Sequence, residues 1–143
     1  MALEFNTAMR NARLDAIETY VGASAFFRLL SGAMPASVTT AQTGTLLVAG
    51  TLPSSGGGDW LAAASGGAKA KAGTWSFTAT GGAGTAPGYF RILRNVLGTA
   101  SLVAMQGLCT GAGSDMVPDS TSITAGQTVT VNTFVLTDGN VSP

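Results

Sequence analysis

Between Thr7 and Val21 the apolar residues recur at helical spacing, and nowhere else does the chain sustain that period. Met9, Ala12, Ala16 and Tyr20 fall three or four apart, with Ile17 and Val21 widening the stripe. Asn6 or Thr7 can cap the start with a side-chain oxygen, and Gly22 stands where a left-handed residue usually ends a helix. The pattern predicts one helix over residues 7–21, held by tertiary or intersubunit packing.

After Gly22 the period falls to two. Ser24–Ser31 holds Phe26, Phe27, Leu29 and Leu30 around Arg28, and Thr45–Leu52 is a second apolar run, closed by Pro53. A short, weak segment follows at Trp60–Ala64. Thr74–Thr80 alternates cleanly, with Trp75, Phe77 and Ala79 on one face. Gly88–Asn95, Ser101–Thr110 and Thr128–Thr137 complete the series, the last placing Val129, Val131 and Val135 on one side. Clusters of Gly, Ser, Pro, Asn and Asp separate these runs, and no helical segment lies between them. The expected fold is mainly β: an antiparallel β-sandwich, jelly-roll-like, preceded by one N-terminal α-helix, with residues 1–143 as a single domain. Its expected core includes Trp75, Phe77, Phe90, Ile92, Val129, Val131 and Val135.

Composition removes most chemistry from this picture. Only 10% of the 143 residues are charged, Lys plus Arg balances Asp plus Glu at 7 each, and there is no histidine. The usual base for nucleophilic catalysis is therefore missing, and no Gly-x-Ser-x-Gly elbow stands in for it. Without a basic patch or an aromatic-basic interleave, no nucleic-acid partner is expected. Cys109, the one cysteine, lies in the apolar run 101–109 and reads as a small buried hydrophobe. The glycine-rich stretches 54–59 and 81–88 lack the lysine and following helix of a phosphate-cradling loop. No apolar run reaches the roughly 18 to 20 residues that would span a bilayer, and the first seven residues show no secretory signal pattern. The reading is a non-enzymatic protein with no cofactor, no metal and no membrane, made in the cytoplasm.

Several residues invite a sharper reading. Asp115 and Asp119 are solvated turn residues unless they ligate calcium, for which the spacing is wrong; Asp138-Gly139 reads as another turn. Trp60, in its glycine-rich loop, is the one aromatic fit to be an exposed stacking platform for a glycan. Lys69 and Lys71 share a face if their segment is extended, where they protect a sheet edge or meet acidic groups on a partner. On the helix, Arg10 and Arg13 come early and Asp15 and Glu18 late, against the macrodipole. Either these four form a solvated face, or they are an interface whose complement lies on a partner subunit.

The order of segments adds a resemblance. Asn11-Ala12-Arg13-Leu14-Asp15-Ala16-Ile17, then Phe27-Arg28-Leu29-Leu30-Ser31-Gly32 and Thr43-Gly44-Thr45-Leu46-Leu47, resemble a group of small virion proteins of tailed bacteriophages. Residues 84–92 (Gly-Thr-Ala-Pro-Gly-Tyr-Phe-Arg-Ile) and 122–129 (Ser-Ile-Thr-Ala-Gly-Gln-Thr-Val) extend it over nearly the whole chain. The resemblance implies a capsid cement, or decoration, protein on the outside of the head. It would clamp neighbouring copies of the major capsid protein and form a homo-oligomer, dimer first and trimer next. A tail or baseplate component, or a receptor- or carbohydrate-binding module of a tail tip, is the alternative. The motifs are turn-and-strand patterns, so the resemblance carries over no functional residue.

Overall fold

The computed structural model describes residues 4–23, 25–53, 59–96, 99–111 and 113–138. Ser24, most of the 54–59 loop and Gly139, on which parts of the sequence reading fall, lie outside that set. The helix α1 (Thr7–Val21) takes the expected span. Asn6 caps it, its Oδ1 accepting from the Met9 amide at 2.8 Å. Gly22, at φ 89°, ends it with its own N–H on the Glu18 carbonyl.

Eight strands follow: β1 (Phe26–Ser31), β2 (Leu46–Thr51), β3 (Ala68–Ala70), β4 (Trp75–Thr78), β5 (Pro87–Val96), β6 (Thr99–Leu108), β7 (Met116–Pro118) and β8 (Thr128–Thr137). All pair antiparallel. The first sheet runs β2-β1-β5-β6. In the second, β8 is central, flanked by β3 and β4 along one stretch and by β7 opposite, so that Val131 faces both Trp75 and Pro118. The chain lays down strands two at a time, alternating between sheets. Alternation in the sequence had located six of the eight. β7 spans three residues, too short for a period of two to register, and for β3, also of three, the alternation of Lys69 and Lys71 gives only a conditional reading as extended. Of the Trp60–Ala64 segment, only Leu61 makes a bridge, with Lys71.

The core lies between the two sheets. Phe27 of β1 stacks on Phe77 of β4 with centroids 5.0 Å apart, and Phe90 of β5 meets Phe134 of β8 edge-on at 5.6 Å. Trp75 joins Phe27, Trp60 and Phe134 in the same cluster. These cross-sheet contacts make the molecule a sandwich, as the strand pattern predicted. Trp75, Phe90, Ile92, Val129 and Val131 are buried as expected, and Phe77 is half-buried against the cluster.

Val135 is not in the core; it is 45% exposed, and Phe134 is buried in its place. The cause is a bulge. Val117 pairs with Thr133 but Pro118 with Val131, so one step along β7 meets two along β8. The extra residue reverses the inward-outward parity of everything after it. Asp115 and Asp119 are exposed bend residues, as read, but their carboxylates accept amides of neighbouring strands, Leu108 N and Thr130 N, at 3.0 Å each rather than those of their own turns. Close backbone approach requires the glycine near the start of β5: a Cβ on Gly88 would collide with the Gly32 carbonyl.

α1 packs on β3 and β5, one strand from each sheet, and so closes one end of the sandwich. Its buried face is Leu14, Glu18 and Val21, with Ile17 partly covered. The four residues that begin the apolar stripe lie on the other face. Met9 and Tyr20 are 50% and 56% exposed, and Ala12 and Ala16 are exposed with them. Of the stripe that periodicity selected, Met9, Ala12, Ala16 and Tyr20 point at solvent while Ile17 and Val21 turn inward. The helix thus packs inward through a stripe that mixes aliphatic residues with the charged Glu18.

Candidate functional site

The four helix charges singled out in the sequence find partners within their own chain. Glu18, second of an acidic pair three residues apart, turns inward. Its Oε1 accepts the Leu61 amide at 2.8 Å, and its Oε2 lies 2.9 Å from Lys69 Nζ. Asp15 Oδ1 approaches the same ammonium to 2.6 Å. Lys69 sits at the middle of β3 and is 4% exposed, and the helix supplies both of its counter-ions. Arg10 Nε donates to the Asp138 carbonyl. Arg13 Nε lies 3.2 Å from Asp138 Oδ2, an ion pair without an aligned hydrogen bond, since that oxygen accepts none. Asn11 Oδ1 takes the Gly67 amide at 2.9 Å, and Gly67 packs so closely on the Arg10 guanidinium that a Cβ would clash with it.

The charges therefore divide by direction. Arg10 and Glu18 belong to the seam between helix and sandwich, whereas the Arg13 and Asp15 side chains remain 54% and 55% exposed. The compensation missing from the macrodipole comes from β3 and the end of β8. Lys69 is not the solvated edge guard that its alternation with Lys71 suggested. It is a buried cation, and only Lys71, bonded to the Gly73 carbonyl, stays near the surface.

The electrostatics are those of a closed ion cluster. Burial pulls the Lys69 ammonium down, but the hydrogen bonds to Asp15 and Glu18 outweigh it and hold the group above its ordinary value. The hydrogen bond from Lys69, opposed by partial desolvation, holds Asp15 below the usual carboxylate range. An ammonium held so firmly charged is no nucleophile. Beside the cluster lies a cavity of about 310 Å³ bounded by Asp15, Glu18, Thr19, Asp59 and Lys69. On the other side of the helix a second, of about 450 Å³, is bounded by Arg13, Ala16, Ile17 and Thr137. Among the described residues no three His, Cys, Asp or Glu side chains gather as metal ligands. No described helix is long and apolar enough to cross a membrane.

Two other candidates resolve in favour of the core. Trp60 is fully buried, its Nε1 donating to the Gly22 carbonyl at 3.1 Å, so it offers no face to a sugar. Cys109 is buried, and desolvation pushes its thiol up to about 12. Sequence reasoning missed Asp138 as the partner of both arginines. The contact joins residues 128 positions apart in the chain, and no local pattern announces it. The inward role of Glu18 had one faint signal: it falls four residues after Leu14 and three before Val21, on a single helical face.

No protein-family model, characterised protein or solved structure matches this chain.

Proposed function

We propose that the chain is a non-enzymatic structural protein of a tailed-phage virion, a cement protein that binds the outside of the head and stabilises contacts between major capsid proteins. The ordered likeness of its segments to small virion proteins, from the helix to the start of β8, carries this reading. Physical features agree with it. The fold spends charges internally, and it leaves large apolar groups such as Met9, Tyr20, Leu102, Leu108 and Val117 on the surface. A cement protein needs no reactive group. Its binding free energy exists only in the assembled shell, and many modest contacts on one lattice add through symmetry. The glycan-binding alternative loses its platform with the burial of Trp60. The tail or baseplate alternative is separated by experiment.

Purified protein is mixed with expanded heads that lack it and, separately, with isolated tails. Binding is measured by co-sedimentation and located by electron cryomicroscopy. Saturable occupancy at symmetric positions on heads, with slower head rupture on heating, is the expected result. Binding confined to tails would replace the cement reading with a tail role, and binding to neither would overturn both.

A further inference from the structure

We infer that the outward stripe of α1 is the surface on which a second copy of this chain docks, with the two helices side by side and parallel. The inference deepens the assembly reading above and rests on it. Its first ground is the orientation of the helix. Met9, Ala12, Ala16 and Tyr20 form one continuous apolar row directed away from the sandwich, half-exposed at Met9 and Tyr20. Alanines in the middle of the row let a second helix backbone come close, while the larger side chains at its ends interdigitate. The row keeps helical spacings of three and four, and among the described residues only the Arg94 guanidinium, over the Tyr20 ring, is seen to lie on it.

The occupant is argued from charge. The two flanks of the row carry opposite signs. On one side stand Arg13 and, over the Tyr20 ring at 4.7 Å, Arg94; Asp138 neutralises part of this charge. On the other side Asp15 stands with its side chain 55% exposed, and Lys69, which Glu18 also holds, neutralises part of its charge. The result is a basic flank and an acidic flank separated by an apolar strip. Rotating a copy about an axis parallel to the helix sets basic flank against acidic flank along both seams. An antiparallel pair would set like against like, which costs association free energy. A copy of this same surface is therefore its own complement, in one orientation only. An anionic lipid surface would meet the acidic flank unfavourably. With four side chains per copy the contact is smaller than a standard stable interface, so association is reversible and depends on concentration.

Sedimentation velocity on the full chain over a wide concentration range tests this. Wild type is expected to associate, and Ala16→Glu or Ala12→Glu to weaken association at least about tenfold. Both positions are exposed, so unchanged circular dichroism and melting will show that the fold is intact. Orientation is read by cross-linking. Met9→Cys alone should form disulfide-linked dimers in a parallel pair, without interference from the buried Cys109. Formation of the cross-link only in the Met9→Cys, Tyr20→Cys double variant would mean an antiparallel pair and overturn the inference. So would a wild type that stays monomeric, or alanine variants that associate as wild type does. Head binding separates the two claims. A chain that binds heads as a monomer overturns this interface alone, and one that dimerises through α1 but binds no heads overturns the virion reading alone.

Discussion

Replacing Lys69 by methionine removes the cation that joins α1 to β3 and keeps the length of the aliphatic stem. The two carboxylates it leaves behind are not equivalent. Asp15, with its side chain 55% exposed, returns to solvent at little cost. Glu18, with its side chain 9% exposed, stays held by the Leu61 amide in a site that no longer offers a counter-ion. Breaking a buried pair by removing one partner costs about 3–5 kcal/mol. The remaining amide hydrogen bond and the adjoining cavity place this site at the low end, roughly 3 kcal/mol. For a domain of this size that corresponds to a fall of about 6–12 °C in melting temperature. The pH dependence is diagnostic. In wild type the depressed Asp15 carboxyl contributes stability that is present above its unfolded value and lost as pH falls through the folded one. In Lys69→Met that contribution is gone, because the ammonium that depresses Asp15 is absent. The deficit relative to wild type should therefore shrink as pH falls below the ordinary aspartate value, and adding Glu18→Gln should recover part of it at pH 7. Thermal melts from about pH 2 to 8 read both. A deficit below about 2 °C that does not change with pH would refute the view of Lys69 as a buried ion-cluster centre.

Three further outcomes are expected. The bulge in β8 predicts that Val135→Thr changes stability by no more than about 0.5 kcal/mol, whereas Phe134→Ala costs about 3–5 kcal/mol; urea titration of both checks the parity reversal. Gly67→Ala should destabilise by about 1–2 kcal/mol, because its φ of +78° disfavours any Cβ. A mixed Gly67→Ala, Arg10→Ala chain should lose less than the sum of the two, since the clash with the guanidinium is then gone. The Cys109 thiol, raised to about 12, should resist a thiol reagent at pH 8 in the folded protein and react at once in denaturant; fast labelling of the native chain would contradict its burial.

Much of this protein could be read along one dimension. The helix span, its Asn6 and Gly22 caps and the alternation around Trp75 are local properties, each set by neighbours within a few residues. The absence of histidine and the near absence of charge restrict chemistry however the chain folds. What no local pattern held was which way an element faces. Periodicity finds a stripe on α1 but cannot say whether the stripe meets the sandwich or the solvent. The choice went to Leu14, Glu18 and Val21 because Lys69 and the Leu61 amide were there to satisfy a carboxylate that would otherwise be costly to bury. In β8 the period of two holds on each side of the bulge, yet one extra residue exchanges Phe134 for Val135 in the core. The partners of Arg10, Arg13, Asp15 and Glu18 come from β3 and the end of β8, brought near only when the two sheets close. Charge pairing and facing depend on proximity in space, and only folding creates that proximity.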